Sequence, residues 1–467
     1  MDTRVHTEFD KFRIKRYFVP VFFILSLSVL ILLRCSEEVP VTSAGKTFDA
    51  SPGAIIYEYH KLYTEVESMD MFMAPIISAR YLMTLNIAVN EAVKAAINQE
   101  KYTLDFKFTP GKNTFEIKDT LLLNNLLNAV LANHMSNMFS ARVPKSDMMI
   151  EKKYTNILTR INADAKINSV DHTYISALAK TISDSIKSAF LPEDYFQKEK
   201  YAVRDSITNI IKHNSIESKV TWVKSLIRYE SILPDLGLEP IDLPLKTKFN
   251  PLNDKDMYRE AMEIYTLSKP LPYESEWIAE FWSDDLPGIT FTPATRWINI
   301  LNQLVIQEKP DFEDIKNMYF YMSLAIHETG VLCWDLKYAN NQMRPSHFIQ
   351  NHIDPSWRPF HENPDFPAYP SGHSAFGAAA CTVLENFFGK GHPFTDNSHK
   401  GNKAFLSDPR YFKSFREMKE ENARSRMYLG VHFRKDCEDG LYLGDIIGKN
   451  IMEIYTSKNT MKKNVHI

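Results

Sequence analysis

Pro370-Ser371-Gly372-His373-Ser374-Ala375-Phe376-Gly377-Ala378-Ala379-Ala380-Cys381-Thr382-Val383-Leu384 is the stretch on which the fold turns. A Ser-Gly-His turn runs straight into an apolar, Ala-rich helix over Ser374–Phe388. Free backbone N–H groups, a hydroxyl and an imidazole therefore gather at the positive end of a helix dipole, which is a ready anion site. Upstream, Ile315, Met318, Met322, Ile326 and Cys333 keep helical spacing from Asp314 to about Asn340, and Pro345 is expected to end that register. A loop with Pro355, Pro359, Pro364, Pro367 and Pro370 joins the two helices. Downstream, a polar loop from His392 to Asp408 leads to two further helical segments, roughly 410–429 and 435–455.

The N-terminal half repeats the helical pattern. Pro75 opens an amphipathic stretch carrying Ile76, Ala79, Leu82, Val89, Val93 and Ile97. Leu122, Leu126, Val130 and Leu131 mark another helix, and Ile175, Leu178, Ile182 and Ile186 a third. Pro234, Pro240, Pro244 and Pro251 make the segment between Ser231 and Leu252 a loop or lobe junction. Strand-like alternation is scarce. The expected class is all-α with long loops, divided into an N-terminal helical region (54–250) and a C-terminal core carrying the site (251–460).

The whole-chain numbers narrow the function without naming it. A chain of 467 residues calls for one large domain or two intimately packed lobes. With 55 Lys+Arg against 58 Asp+Glu, there is no electrostatic case for nucleic acid as a partner. A mean hydropathy of −0.30 argues against many membrane passes but leaves room for one. Tyr17–Leu33 is that one: an uncharged apolar run behind Lys11, Arg13, Lys15 and Arg16, in the layout of a secretion signal. Leu32-Leu33-Arg34-Cys35 resembles a bacterial lipobox in which Cys35 is acylated, although Arg34 stands where a small residue is usual. A lipoprotein and an uncleaved signal anchor both remain open, with a buried core helix as the plain alternative. Residues 1–35 are read as this signal or anchor and 36–53 as a tether. The rest of the chain is expected outside the cytoplasm, touching the membrane only through the tether. Cys333, Cys381 and Cys437 lie in partly apolar helical contexts, read by default as buried free thiols, with one disulfide left open.

Three pieces carry chemistry. Lys337 and Arg344 are seven apart on or near one helix, so two turns put both cations on the same face. Ser371, Gly372 and His373 form the helix-opening anion site. Ser425-Arg426 is followed by His432 and then Asp436, and the four-residue gap lets Asp436 hold one nitrogen of His432 while freeing the other as nucleophile or ligand. Each piece alone has a bland reading: a solvated charged face, a turn with its cap, a structural His–Asp pair. In order, they describe an oxyanion cradle of three fixed cations, backbone donors, a hydroxyl and two histidines. His327-Glu328 is no zinc-protease helix, because Val331 stands where a second His is needed.

The order Lys-x6-Arg-Pro, Pro-Ser-Gly-His, Ser-Arg-x5-His-x3-Asp resembles the tripartite signature of the superfamily of type-2 phosphatidic acid phosphatases, bacterial acid phosphatases and vanadium haloperoxidases. The flanks Cys333-Trp334-Asp335-Leu336, Asp354-Pro355-Ser356-Trp357, Phe366-Pro367-Ala368-Tyr369 and Gly430-Val431-His432-Phe433-Arg434 look like the soluble haloperoxidase branch. So do Glu280-Phe281-Trp282 and Thr292-Pro293-Ala294-Thr295-Arg296-Trp297.

The resemblance implies a helical bundle of the acid phosphatase/vanadium haloperoxidase type around a vanadate or phosphate pocket. Lys337, Arg344 and Arg426 would hold the equatorial oxygens, with the Ser371 hydroxyl and Gly372 N–H. His432, oriented by Asp436, would bond vanadium axially, and His373 would be the general acid–base. The implied activity is vanadate-dependent oxidation of halide with peroxide. The alternative is an exported acid phosphatase that binds phosphate in the same pocket and acts on a phosphoester through a phosphohistidine at His432. A non-catalytic oxyanion- or partner-binding surface protein is the third reading. Trp357, Phe360, His361 and Phe366 are candidates for lining the pocket beside His373.

Overall fold

The computed structural model describes residues 50–463, apart from 71–72, 99–101, 105, 108–118, 165–171, 192–197, 203–220, 226–230, 242–248, 285, 287 and 405–407. The basic-apolar segment, Cys35 and the tether up to residue 49 lie outside the described residues. Ser51 caps α1 (Pro52–Glu67) by accepting from the Ala54 N–H, and Pro52 brings the preset φ of a first helical turn. The helix therefore takes in Pro52 and Gly53, the last two residues of the expected tether.

The N-terminal helices α2 (Pro75–Ile97), α3 (Thr120–Phe139), α4 (Ser146–Asp164) and α5 (His172–Phe190) follow the periodicity of the sequence. The α3 helix is the hub of this layer, meeting α1, α2, α4 and α5. Strands among the described residues form two short antiparallel pairs. One is β1 (Lys198–Ala202) with β2 (Thr221–Ser225); the other is β3 (Phe394–Asp396) with β4 (Arg410–Phe412). Of the second pair, β3 lies in the loop expected at His392–Asp408, whereas β4 takes the first residues of the segment expected to be helical from about 410. The helix there starts only at Phe415, where Ser414 caps it by accepting from the Glu417 N–H. The remaining helices are α6 (Asp254–Leu267), α7 (Tyr273–Phe281), α8 (Pro293–Glu308), α9 (Phe312–Asn340), α10 (Pro345–His352), α11 (Gly372–Phe388), α12 (Phe415–Tyr428) and α13 (Arg434–Lys463).

The α9 helix is the shared wall of the molecule. Asp311 caps its start by accepting from the Asp314 N–H, and Asn341 ends it in a left-handed conformation at φ 50°. It is buried on almost every face, as a helix enclosed by neighbours must be, with α2 on one side and α11 and α13 on the other. A polar tie reinforces the α2 contact: Arg80 Nη1 donates to His327 Nε2 at 3.0 Å, while His327 Nδ1–H donates to Glu328 Oε1 at 3.1 Å.

The closest approach is that of α13 to α11. Gly440, Gly444 and Gly448 recur every four residues and so share one face of α13. A Cβ at Gly444 would stand 2.0 Å from the Ala375 carbonyl oxygen, and one at Gly440 2.6 Å from that of Ser371. Glycine is required there because the two backbones touch. The Ala-rich face of α11 completes the fit.

A buried carboxyl links the two halves. Glu67, in the last turn of α1, accepts the Thr292 N–H at 3.2 Å at the start of α8. Burial pushes its pKa from 4.5 up to about 7. The folded protein therefore holds this proton more tightly than the unfolded chain, and stability from this group is lost as pH rises through that window. The Glu67→Gln protein keeps the acceptor without the charge. Its stability relative to wild type should rise by ~3 kcal/mol between pH 4.5 and pH 7, as read by urea denaturation at each pH. A difference that stays flat across that range would refute the buried-carboxyl account.

Candidate functional site

The site is assembled where α9, α10, α11, α12 and the start of α13 meet. Lys337 lies fully buried in the last turn of α9. Its ammonium donates to three backbone carbonyls, Pro367 O (3.0 Å), Ala368 O (3.0 Å) and Pro370 O (2.5 Å). The Trp334 and Phe366 rings lie 5.6 and 5.2 Å from Nζ. Burial, with the neighbouring Arg344 charge, lowers the Lys337 pKa to about 7.

Arg344 lies just beyond the helix that carries Lys337, so the two cations are not brought to one face by two continuous helical turns. The left-handed Asn341 breaks the chain between them, and Arg344 is the extended residue preceding α10 (φ −77°, ψ 153°). Pro345 opens that helix rather than closing the earlier one, taking the first-turn position that suits its missing N–H. The two cations converge through this turn. Arg344 donates from Nε and Nη2 to Phe366 O, and from Nη1 to Val431 O and to His432 Nε2, both at 2.9 Å.

Ser371 caps α11, its Oγ accepting from Ser374 N–H and Ser374 Oγ. Its own N–H donates to the Asp436 carbonyl at 2.9 Å, so the third piece of the signature holds the second in place. Gly372 and His373 form the first turn of α11. A Cβ on Gly372 would press the Trp334 ring at 3.1 Å. His373 is buried, its backbone carbonyl accepts from Asn422 Nδ2, and its Nε2 has no hydrogen-bond partner. Burial and the charges of Arg426, Lys337 and Arg344 hold its pKa well below the usual value. It is neutral at pH 7.

Arg426 ends α12 and donates to the Trp282 carbonyl at 2.8 Å. The chain turns at Gly430, whose φ of 75° suits glycine and whose missing Cβ leaves room for the Trp357 ring. This turn delivers His432. Its Nδ1–H donates to Asp436 Oδ2 at 3.2 Å, which fixes the tautomer and leaves Nε2 with a lone pair. Asp436 Oδ2 also accepts from the Phe433 N–H, and Oδ1 accepts from Gln342 Nε2 at 2.7 Å. Burial and the charges of Arg344, Lys337 and Arg426 keep the His432 pKa well below its ordinary value.

The structure thus brings Lys337, Arg344, Ser371, Gly372, His373, Arg426, His432 and Asp436 to one place. Three further residues belong to it and carry no local signal in the sequence. Asp284, buried, has Oδ2 3.8 Å from His373 Nε2 and Oδ1 3.5 Å from Arg296 Nη1. Burial raises its pKa to about 7 against the pull of Arg296 and Arg426. Asn422 and Gln342 are the others. Of the expected lining residues, Phe366 lies against Lys337 and Arg344, its ring 5.3 Å from Arg344 Cζ, and His361 lies within electrostatic reach of Arg426. Trp357 is instead part of an apolar cluster with Met343, Met427 and Phe433, and its indole N–H donates to Ser268. Phe360 is partly exposed and held by its N–H to Leu429 O, and burial together with Arg426 lowers the His361 pKa to about 4. Cys333, Cys381 and Cys437 are all buried free thiols.

The chemistry of the donor set suits a tetrahedral or five-coordinate oxyanion. The unprotonated His432 Nε2, three buried cations and a helix N-terminus whose first residue is glycine lie together in a buried setting of low dielectric. Vanadate fits this set, and phosphate fits it equally.

Comparison with known proteins agrees. Residues 317–460 match the family model described as the VCPO second helical-bundle domain. Vanadium chloroperoxidase of Curvularia inaequalis is 24% identical over 217 residues, an alignment covering 34% of this chain and 35% of that protein. The matched region is thus about a third of that relative's length. Among solved structures, a bacterial vanadium-dependent iodoperoxidase superposes with a TM-score of 0.63 at 23% identity, covering 87% of this chain and 97% of that one. A bacterial vanadium-dependent chloroperoxidase in its holo form gives 0.54 at 14% identity, covering 84% of this chain and 96% of its own. The structural neighbours speak for the fold, a mostly helical chain with a VCPO-type bundle domain, consistent with the superfamily that the signature residues resemble.

Gly430→Ala tests the turn that delivers His432. A Cβ there would meet the Trp357 ring at 2.7 Å on a backbone that L residues rarely adopt. The expected outcome is a loss of about 2 kcal/mol in stability together with weaker binding of inorganic phosphate by calorimetry. Unchanged phosphate affinity would mean that the turn does not govern the position of His432.

Proposed function

We propose that this chain, with a VCPO-type bundle domain and vanadium haloperoxidases as structural neighbours, is a vanadate-dependent haloperoxidase-like enzyme that oxidises halide with peroxide. The observation that carries the reading is His432: buried, neutral, its Nδ1–H committed to Asp436 and its Nε2 lone pair set among Lys337, Arg344 and Arg426. A structural histidine gains nothing from three depressing cations. A ligand or nucleophile does, since its lone pair stays available well below neutral pH.

Lys337, Arg344 and Arg426, with Ser371 Oγ and the Gly372 N–H, would hold the oxygens of bound vanadate, and His432 Nε2 would ligate the metal. Bound vanadate supplies an electrophilic centre that activates peroxide toward halide. The protein's own part is positioning and proton handling. Neutral His373 can take a proton from peroxide, and the Asp284 carboxyl 3.8 Å from Nε2 would stabilise the imidazolium so formed. The Lys337 staple on Pro367, Ala368 and Pro370 holds the loop that leads into Ser371.

The phosphatase reading draws on the same lone pair. His432 Nε2 would attack phosphorus; His373, protonated once the substrate's negative charge offsets the surrounding cations, would give that proton to the leaving oxygen and then, neutral, take one from the attacking water. One preparation decides between them. With vanadate, peroxide, and iodide, bromide or chloride plus a halogen acceptor, turnover is expected; with a phosphomonoester and no vanadate, it should be far slower. His432→Ala should abolish both. The reverse ranking would favour the phosphatase, and an equally active His432→Ala protein would overturn the role of His432 in either.

The N-terminal basic-apolar segment extends the proposal to an exported enzyme tethered to a membrane. Mass spectrometry of the mature N-terminus should find lipidated Cys35 for a lipoprotein or an intact Met1 for an anchor. Recovery in the soluble cytoplasmic fraction would refute both.

A further inference from the structure

We propose that Gln342 is a positioning residue for His432, acting through Asp436. This rests on the reading of His432 as the ligand or nucleophile of the oxyanion site. Gln342 lies in the spacer between Lys337 and Arg344, where the signature asks for no particular residue. It is 1% exposed, and the left-handed Asn341 before it turns the chain inward. Both ends of its amide are used. Nε2 donates to Asp436 Oδ1 at 2.7 Å, and Oε1 accepts from the Leu252 N–H at 2.9 Å. Its backbone carbonyl accepts from the Ala368 N–H at 2.9 Å.

One side chain thus cross-links the linker before α6 and the first turn of α13, and its backbone holds the loop entering α11. The consequence for Asp436 is geometric. Oδ2 is engaged by His432 Nδ1–H and Phe433 N–H, while Oδ1 is engaged by Gln342. A carboxylate pinned at both oxygens cannot swivel. With Oδ1 released it could rotate, exchange the oxygen facing His432 Nδ1 and let the imidazole turn or change tautomer. Residues of similar size fail for definite reasons: Met offers neither donor nor acceptor, and Glu lacks the donor.

Gln342→Met is the test, read at fixed pH by binding of inorganic phosphate and of orthovanadate, and by 15N NMR of the His432 ring. Both anions should bind about 10- to 100-fold more weakly, as is typical when the partner of a ligand's partner is lost. His432 should show a mixture of tautomers instead of the single Nδ1–H form. In an Asp436→Asn background the same change should cost little more, since the effect runs through Asp436. Unchanged affinity with one tautomer would overturn the proposal, and so would losses that multiply in the double variant. If Gln342→Met does not fold, the Gln342 side-chain amide signal of the wild type decides. It should move as phosphate is added, and a stationary signal would overturn the proposal. Failure of the wild type to bind either anion would instead defeat the functional reading, and the His432 tautomer in Gln342→Met would still decide the role of Gln342.

Discussion

The contact between α11 and α13 is the constraint on which the rest depends. Gly440, Gly444 and Gly448 let the two backbones touch, and that approach puts the Asp436 carbonyl against the Ser371 N–H at 2.9 Å. The start of α11 and the start of α13 therefore move as one body. The first carries the first-turn N–H groups of a helix and His373; the second carries Asp436, which holds His432. Were the helices spaced by ordinary side chains, the Ser371 N–H could not reach the Asp436 carbonyl and the two histidines would be set by two separate elements. Close packing here is what makes the site definite.

Electrostatics then set the state of each group. Lys337, Arg344 and Arg426 are buried together, which is costly unless polar partners surround them. The protein surrounds them with carbonyl dipoles, among them those of Phe366, Pro367, Ala368, Pro370, Val431 and Trp282. Burial, reinforced by these cations, pushes the pKa of both histidines well below the ordinary value. Asp436 and Asp284 sit at opposite ends of this arrangement, one fixing the tautomer of His432 and the other beside His373. An oxyanion that replaces some of the carbonyl contacts would bring charge where the fold has only dipoles.

Much of this was legible in the sequence, for identifiable reasons. The long helices keep their apolar period because each buries a continuous stripe or, for α9, almost every face. The Ser-Gly-His turn is readable because a cap and a helix start are local. His432 and Asp436 are readable because a four-residue gap spans one helical turn. Asp284, Asn422 and Gln342 were not legible, since each belongs to the site only through a partner far along the sequence: His373 for Asp284 and Asn422, and Asp436 for Gln342. Trp357 shows the opposite failure: an aromatic near the motif looks like pocket lining, yet Gly430 makes a socket for it and it serves the core. Arg344 shows a third kind. Its nearness to Lys337 was foreseen for the wrong reason, because a left-handed Asn341 does what continuous helix was expected to do.

The sequence by itself determined the helical class, because that follows from local periodicity and capping, and it singled out eight candidate residues through the order of three short motifs that resembles a known signature. Only the tertiary structure decided which nitrogen of His432 carries the proton, that burial keeps His373 neutral, and that Gln342 and Asp284 stand behind the two histidines. Tautomer and protonation depend on burial and on partners brought from distant segments, and no local pattern of residues encodes them.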